Sequence, residues 1–249
     1  MINKKRIIFL GTPNIAANYL KNLLDHDFNI IAVYTKPPKK QDRGMILKKT
    51  PVQLIAEDNN IQVFLPTNLS EDKEINNLKK LNADLAIVIG YGILIPKKTL
   101  KDLSFDFINI HFSLLPRWRG ASPVEHAILN GDTKTGVSIF KIEEKLDSGP
   151  VLCSENISIT ESISKSELQK KLNNIGIKLL IENLPKYFLN QINLIYQNEK
   201  NITYAKKITA SYAKINFFKN AQEIYNHVRA FNPKPGAWLV INNERIKIL

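Results

Sequence analysis

The sequence predicts an α/β fold with a Rossmann-like, mostly parallel sheet and helices on both faces. Short apolar runs, such as those within Arg6–Leu10 and Asp84–Ile89, alternate with amphipathic segments, a pattern typical of buried parallel strands joined by helices. The first run is followed by apolar residues at helical spacing and by a second strand, Asn29–Tyr34, so the chain opens as a β-α-β unit. With 249 residues, of which 44% are hydrophobic, the chain can form one large domain and part of another.

The first half of the chain is expected to continue this alternation. Asn14 is expected to cap the first helix, because its side chain can accept a hydrogen bond from the first turn. The elements that follow are a helix Pro51–Glu57, a strand Gln62–Leu65, a polar helix Glu71–Leu81 and a central strand Asp84–Ile89. The opening lacks a Gly-x-Gly-x-x-Gly fingerprint, so neither NAD nor FAD is predicted and a nicotinamide dehydrogenase is disfavoured.

The second half is expected to complete the sheet and then to add a small C-terminal region. Ser164, with Glu167 three residues later, predicts a capping box at the start of a long helix. The other expected elements are a helix Lys97–Leu103, a strand Phe107–His111, a helix Pro123–Leu129, a hairpin formed by Thr135–Ile142 and Val151–Ile159, a helix Asn220–Phe231, and a hairpin formed by Ala237–Ile241 and Arg245–Leu249.

Charge and cysteine content restrict the class of protein and its partners. Lys and Arg number 35 against 23 Asp and Glu, and the net charge of +12 favours a polyanionic partner such as nucleic acid, although a chain rich in Lys, Asn and Ile can be basic through composition alone. The single cysteine, Cys153, excludes an internal disulfide framework, and no metal cluster is predicted. No stretch approaches the ~20 apolar residues of a membrane span and no signal peptide is visible, so a cytoplasmic protein without membrane contact is expected.

Two polar side chains stand at the end of an apolar strand. Asn109 and His111 are two residues apart, and alternate residues of a strand point to the same face, so an amide and an imidazole are expected to face one site. An amide donor beside a group that titrates near neutrality suits a carbonyl that becomes an oxyanion while a proton moves. For either residue alone, a purely structural role is the alternative.

The same stretch carries a family resemblance. The motif Asn-x-His-x-Ser-Leu-Leu-Pro at Asn109–Pro116, followed by Leu-Asp-Ser-Gly at Leu146–Gly149, resembles the folate-dependent formyltransferases, and the likeness extends from Phe9–Pro13 to Arg229–Pro233. The resemblance implies transfer of a formyl group from 10-formyltetrahydrofolate to an amine, without a metal ion. It implies that the catalytic residues are Asn109, His111 and Asp147. Without the resemblance, the aspartate of an Asp-Ser-Gly turn would be assigned to the turn's own hydrogen bonds.

The resemblance also implies folate contacts in two segments. The first consists of Ser113, Leu114, Leu115 and Pro116. The second is the turn after the central strand, formed by Gly90, Tyr91 and Gly92. Two glycines at the carboxyl end of a central strand let a flat ligand approach the backbone closely, so this second segment also suits a binding role on physical grounds.

Two basic segments are candidates for nucleic-acid contact. Thr35–Thr50 holds two prolines, a glycine and six basic residues, and its length and charge indicate an exposed, mobile loop, which is either functional or only a solvated connection. In the family that the chain resembles, a basic loop at this place enters the acceptor arm of the tRNA. This role is carried over as a group to Lys39, Lys40, Arg43, Lys48 and Lys49. Farther along, Arg117 and Arg119 either meet phosphate or the folate tail, or form a solvated basic turn.

These basic segments favour the branch of the family that formylates the α-amino group of methionine on initiator methionyl-tRNA, in support of translation initiation. Residues 1–206 are expected to form the catalytic domain. Residues 207–249 are expected to begin a C-terminal, tRNA-binding open β-barrel of which most strands are missing. A monomer is expected. Two alternatives stay open, namely a formyltransferase acting on an amino-sugar nucleotide or a purine precursor, and a truncated tRNA- or folate-binding protein with little turnover.

Overall fold

The computed structural model describes residues 4–41 and 46–248, with the backbone alone at residues 40, 41 and 46. These residues form two compact units. The first comprises the described residues up to Ile110 together with Ile139–Lys145 and Leu180–Asn193. The second comprises His111–Ser138, Leu146–Leu179 and the described residues from Leu194 onward.

Most of the predicted helices and strands are present, with ends that differ by one or two residues. The strands are β1 (Ile7–Gly11), β2 (Ile30–Tyr34), β3 (Lys39–Gln41), β4 (Ile46–Lys48), β5 (Gln62–Phe64), β6 (Leu85–Ile89), β7 (Asp106–His111), β8 (Arg119–Gly120), β9 (Lys134–Lys141), β10 (Val151–Ser158), β11 (Tyr204–Ala205), β12 (Ala237–Ile241) and β13 (Glu244–Ile248). The α-helices are α1 (Asn14–Asp25), α2 (Pro51–Asp58), α3 (Asp72–Lys80), α4 (Lys97–Asp102), α5 (Pro123–Leu129), α6 (Lys165–Phe188) and α7 (Ala221–Phe231).

A seven-stranded sheet runs in the order β10-β9-β7-β6-β1-β2-β5. Strand β1 pairs in parallel with β2 and β6, β2 pairs in parallel with β5, and β6 pairs in parallel with β7. Every residue of β1 and β6 is buried, as in a parallel sheet that is covered on both faces. The predicted α/β fold with a mostly parallel sheet is therefore confirmed.

The first helix begins without the predicted cap. Asn14 is the first residue of α1, and Pro13 precedes it with φ of −80° and ψ of 173° and without a side-chain capping bond. The pyrrolidine ring restricts φ of Pro13, and its extended ψ ends the strand connection, so the helical backbone begins already at Asn14. The prediction that Asn14 caps α1 was wrong by one position.

The basic segment Thr35–Thr50 is not a loop throughout, which corrects its prediction. Strands β3 and β4 form an antiparallel hairpin in which Lys39 lies opposite Lys48. The two ends of the segment are held together, because the hydroxyls of Thr35 and Thr50 hydrogen bond at 2.8 Å in a buried position. Its charged composition concealed the hairpin, since short exposed strands commonly carry lysine to prevent pairing with other chains.

In the second unit, helix α6 begins as predicted, since Ser164 and Glu167 exchange side-chain to backbone hydrogen bonds of 2.9 and 3.3 Å. The predicted C-terminal hairpin is also present as β12 and β13. Asn242 and Asn243 connect the two strands with φ of 49° and 64°, and positive φ at both positions is what a two-residue hairpin turn requires. Among the described residues, no helix has both the length and the apolar character needed to cross a membrane.

Candidate active site

Strand β7 carries Asn109 and His111 two residues apart, as the sequence predicted. Asn109 is half-buried and lies opposite Val88 of β6 in the parallel register. The His111 side chain, the last of the strand, is 7% exposed. The pairing of β7 with β6 therefore fixes the backbone of Asn109, and His111 stands at the carboxyl end of β7, where ligands of open α/β sheets bind.

The environment of His111 distinguishes its two ring nitrogens. Nε2 lies 2.8 Å from the carbonyl oxygen of Trp118. Because a carbonyl oxygen can only accept a hydrogen bond, Nε2 carries a hydrogen and donates it. Nδ1 lies 3.8 Å from Oδ2 of Asp147, a distance that suits an ion pair and exceeds a direct hydrogen bond. Nδ1 is therefore the ring nitrogen that faces the Asp147 carboxylate.

Asp147 lies in the tight loop that the sequence predicted between β9 and β10. Its φ is 48°, a left-handed conformation that favours glycine and that asparagine and aspartate adopt more often than other residues. Its side chain is 13% exposed, and Oδ2 accepts a hydrogen bond of 2.7 Å from the backbone N–H of Gly120. The loop and the basic turn at Arg117–Gly120 thus meet at the carboxylate that faces His111.

Gly120 has a structural requirement of its own. Its φ is 119°, and a Cβ atom at this position would lie 2.6 Å from the carbonyl oxygen of Ala205. The close approach comes from the parallel pairing of β8 with β11, in which Gly120 lies opposite Ala205. Any larger residue would push the two strands apart and move the N–H that holds Asp147.

In the predicted folate segment from Ser113 to Pro116, the first residue is buried and the other three are partly exposed. Ser113 is 1% exposed, and its hydroxyl donates a 2.5 Å hydrogen bond to the carbonyl of Arg117. Its own carbonyl accepts a 2.8 Å hydrogen bond from Ser138. Ser113 therefore shapes the turn, whereas Leu114, Leu115 and Pro116 are half-buried and retain apolar surface that a ligand can contact.

Arg117 is engaged by Asp132, a residue that the sequence analysis did not single out. Nε and Nη2 of Arg117 donate to the two carboxylate oxygens at 2.8 and 2.6 Å, and the guanidinium lies 4.5 Å from the centre of the Trp118 ring. The Trp118 indole N–H also donates to Asp132, at 2.7 Å. Burial acts to raise the pKa of Asp132, but the hydrogen bonds from Arg117, Trp118 and Asn130 outweigh it and hold the pKa below its usual value. Asp132 thereby holds the turn whose carbonyl binds His111.

Arg119 does not occupy a position that suits contact with tRNA phosphate or the folate tail. The residue is 4% exposed. Its Nε and Nη2 donate to Oε1 of Gln197 at 3.0 and 2.8 Å. Since a phosphate contact needs an accessible guanidinium, the structure disfavours the role predicted for Arg119. Arg117, whose side chain is 40% exposed, remains partly accessible.

In the first unit, the predicted turn at Gly90–Gly92 has the conformation for which glycine is suited. Gly90 and Gly92 have φ of 53° and 70°, and both are exposed. Tyr91 between them is 2% exposed, and its carbonyl accepts a 2.9 Å hydrogen bond from the hydroxyl of Thr12. The two glycines leave backbone uncovered, whereas the Tyr91 side chain points into the core and offers no ligand surface.

The predicted tRNA-binding lysines of the first unit lie on the hairpin and just after it. Lys39 and Lys48 are exposed on β3 and β4, and Lys49 forms a 2.6 Å ion pair with Glu57 of α2. Lys40 lies on β3, but its side chain is outside the described part of the chain. Arg43 lies outside the described residues altogether.

Two further residues that hold the site were also missed by the sequence analysis. The hydroxyl of Thr203 accepts a 2.8 Å hydrogen bond from the backbone N–H of Trp118, and Gln197 contacts the Asp147 loop. Both lie in the extended connector after α6, which has no periodic pattern or motif. No local signal could have identified them, because their partners are dozens of residues away in the chain. Among the described residues, no group of three or more His, Cys, Asp and Glu side chains could hold a metal ion.

Comparison with known proteins gives consistent matches over nearly the whole chain. Residues 5–184 match the family model described as formyl transferase, and residues 207–249 match the model of the formyl transferase C-terminal domain. The methionyl-tRNA formyltransferase of Pelagibacter ubique is 42% identical over 98% of this chain and 79% of its own length. That of Bartonella henselae is 42% identical over 98% of this chain and 80% of its own length.

Among solved structures, a similar chain is the N-formyltransferase from Helicobacter canadensis, determined in complex with folinic acid and dTDP-3-aminofucose. Its TM-score is 0.76 and its sequence identity is 25%, over 97% of this chain and 86% of that chain. The fold match is therefore as extensive as the sequence matches, but the identity is much lower.

Proposed function

This chain belongs to the formyl transferase family, and we propose that it transfers the formyl group of 10-formyltetrahydrofolate to the α-amino group of methionine on initiator methionyl-tRNA. The observation that carries this proposal is the 42% identity to methionyl-tRNA formyltransferases over 98% of the chain. The similar solved protein named with an amino-sugar nucleotide is only 25% identical. The branch of the family that acts on tRNA is therefore favoured over the branch that acts on sugars.

The proposed reaction requires stabilisation of negative charge and transfer of one proton. Asn109 donates from its side-chain amide to the formyl oxygen as that oxygen becomes an oxyanion. His111, when protonated, adds a charged donor at Nδ1, and each such donor contributes ~2–4 kcal/mol to stabilisation of the transition state. The Asp147 carboxylate lies 3.8 Å from Nδ1, a position from which it can orient the imidazole ring.

The protons of the reaction must also balance, and we assign this second role to His111 and Asp147 together. The attacking amine loses a proton when its nitrogen bonds to the formyl carbon, and the departing folate nitrogen gains one when its bond to that carbon breaks. The pair of His111 and Asp147 accepts the first proton and returns one, so its protonation state is the same before and after turnover. Hydrogen bonding of Nε2 to Trp118 keeps the second ring nitrogen out of this exchange.

The folate donor supplies the activated formyl group, and two features of the chain fit such a flat, partly apolar molecule. Exposed backbone with positive φ at Gly90 and Gly92 permits close approach of a ring system. Leu114, Leu115 and Pro116 present half-buried apolar surface. Ser113 and Tyr91 are assigned to the support of these segments, because their side chains are buried.

For the tRNA, we propose contacts from the hairpin lysines. Lys39 and Lys48 are exposed and lie directly opposite each other on β3 and β4, so they present two basic side chains on one face of the hairpin. Lys40, Arg43 and Lys49 belong to the same proposal by their position in the chain, and Arg117 is a further candidate through its partly exposed guanidinium.

The proposed reaction takes place in the cytoplasm, where charged tRNA is used. The chain is proposed to act as a monomer, with the domain boundary between residues 206 and 207.

The test is a comparison of acceptors. The 249-residue protein is incubated with radiolabelled 10-formyltetrahydrofolate and with initiator methionyl-tRNA, a dTDP-amino sugar or the amine of a purine precursor. We expect saturable transfer to methionyl-tRNA and less than about one hundredth of that kcat/KM for the other amines. Transfer to another amine but not to methionyl-tRNA would overturn the choice of substrate. Tight tRNA binding without transfer would instead indicate a binding protein.

A further inference from the structure

We propose that Gln197 is a positioning residue that holds the Asp147 loop so that its carboxylate faces His111, and that Arg119 anchors Gln197 for this purpose. This inference rests on the proposed formyl transfer for its role in turnover. Its geometric part, the restraint of the Asp147 carboxylate, can be tested without any catalysis. Gln197 contacts neither His111 nor the reacting atoms in this arrangement, so its effect on the reaction would be indirect.

The side-chain amide of Gln197 bridges two segments of the second unit. Its Oε1 accepts hydrogen bonds of 3.0 and 2.8 Å from Nε and Nη2 of Arg119. Its Nε2 donates hydrogen bonds of 2.9 and 2.8 Å to the carbonyl oxygens of Asp147 and Gly149. An amide NH₂ has two hydrogens and a carbonyl oxygen has two lone pairs, so these four bonds use the whole capacity of the group. Gln197 is therefore fixed in one orientation.

Arg119 provides a rigid base for this bridge. It is 4% exposed, and a buried guanidinium must be compensated by hydrogen bonds, which Gln197 supplies. Its backbone is fixed too, because β8 pairs with β11 and the Arg119 N–H donates to the Thr203 carbonyl at 2.9 Å. If the Gln197 amide were rotated, its N–H groups would face the buried Arg119 guanidinium, which would lose its hydrogen-bond acceptor. The bridge therefore has no alternative arrangement of similar energy.

The Asp147 loop requires such a restraint. A left-handed backbone at a residue other than glycine costs ~1 kcal/mol or more, and it persists only where the surroundings enforce it. The contacts of Gln197 hold the carbonyls on both sides of Ser148. Without them the loop can relax, and the Asp147 carboxylate would leave both the Gly120 N–H and its place 3.8 Å from His111.

Kinetics on three variants would separate positioning from general support of the fold. Gln197→Met keeps the length of the side chain and removes all four hydrogen bonds. Gln197→Glu keeps an acceptor for Arg119 but sets a carboxylate against two carbonyl oxygens. Gln191→Met alters an exposed glutamine and serves as the matched control. We expect kcat to fall ~10–100-fold in both Gln197 variants, with KM values within about twofold of wild type, and no change in the control.

A double mutant determines whether Gln197 acts through Asp147. Asp147→Asn is combined with Gln197→Met, and kcat of the double mutant is compared with that of Asp147→Asn alone. We expect the two rates to agree within about twofold, because the positioned group is already lost. If the two rate losses multiply, or if Gln197→Glu retains the wild-type kcat, the proposal is wrong.

Amide hydrogen exchange tests the geometry even if the protein transfers no formyl group to tRNA. The Gly120 N–H donates to Asp147, whereas the Trp238 N–H donates to the Ala213 carbonyl and reports on the rest of the second unit. In Gln197→Met, we expect exchange at Gly120 to accelerate at least about tenfold relative to Trp238. Unchanged relative exchange would overturn the positioning role, and failure of tRNA formylation in wild type with accelerated exchange would overturn only the proposed function.

Discussion

The basic turn with the Asp147 loop and the β3–β4 hairpin both carry residues predicted to be functional, but they are built differently. In the turn and loop, the charged groups are largely buried and each is held by specific hydrogen bonds, as with Asp147 on Gly120 and Arg119 on Gln197. On the hairpin, Lys39 and Lys48 are exposed and lie opposite each other. The difference shows which chemistry each region can support. Proton transfer needs atoms held within fractions of an ångström, whereas attraction of a polyanion needs only accessible charge.

The largest effect on the rate is expected at the two proposed catalytic residues of β7. Asn109→Ala and His111→Ala should each lower kcat ~10²–10³-fold, because each removes a donor to the oxyanion. Steady-state formyl transfer to methionyl-tRNA measures this loss, and His26→Ala, at an exposed histidine after α1, is the control. If either active-site variant kept more than about a tenth of the wild-type rate, the oxyanion role would be wrong and the contrast between the two regions would lose its basis.

An intermediate effect on the rate is expected at Asp132, whose hydrogen bonds support the basic turn. Asp132→Asn should lower kcat roughly tenfold, because the displaced Trp118 carbonyl no longer orients His111. It should also reduce the free energy of unfolding at pH 7 by about 1–2 kcal/mol, a modest figure because Arg117 is 40% exposed. Asp58→Asn, at an exposed carboxylate, is the control.

The pH dependence sharpens this test. Because the pKa of Asp132 is lower in the folded protein than its usual value of about 3.9, its carboxylate stabilises the fold above about pH 4. This contribution is lost as the pH falls through the folded-state pKa. Urea denaturation at pH 7 and pH 3 should therefore show a deficit in Asp132→Asn that shrinks on acidification. An equal deficit at both pH values would mean that the ionised form is not responsible.

The smallest effect on the chemical step is expected at the hairpin. Lys39→Gln combined with Lys48→Gln should raise KM for methionyl-tRNA about 3–10-fold at physiological salt and leave kcat nearly unchanged. Removal of two phosphate contacts should also flatten the slope of log KM against log salt by roughly 1.4–1.8. Lys170→Gln, an exposed lysine of α6, is the control. A fall in kcat without a change in KM would show that the hairpin takes part in organising the reaction.

Local patterns were sufficient for most of the fold. The apolar run within Arg6–Leu10, the Ser164 and Glu167 capping box and the C-terminal hairpin each depend on neighbours in the chain, and each was found as predicted. The β3–β4 hairpin was missed because prolines and charge dominate its composition. Arg119 was assigned to an exposed role because a basic turn is usually solvated, and its burial depends on pairing of β8 with β11.

The sequence by itself determined the α/β class, the position of Asn109 and His111 on one strand, and the family to which the chain belongs. Strand periodicity and motif spacing depend only on residues that are close together in the chain. Only the tertiary structure decided that Nε2 of His111 donates to the Trp118 carbonyl and that Nδ1 faces Asp147, because the turn that carries this carbonyl is held by Asp132. It also decided that Gln197 holds the Asp147 loop across 50 positions of sequence. Hydrogen bonds between distant segments leave no periodic trace, so these contacts become visible only when the chain is folded.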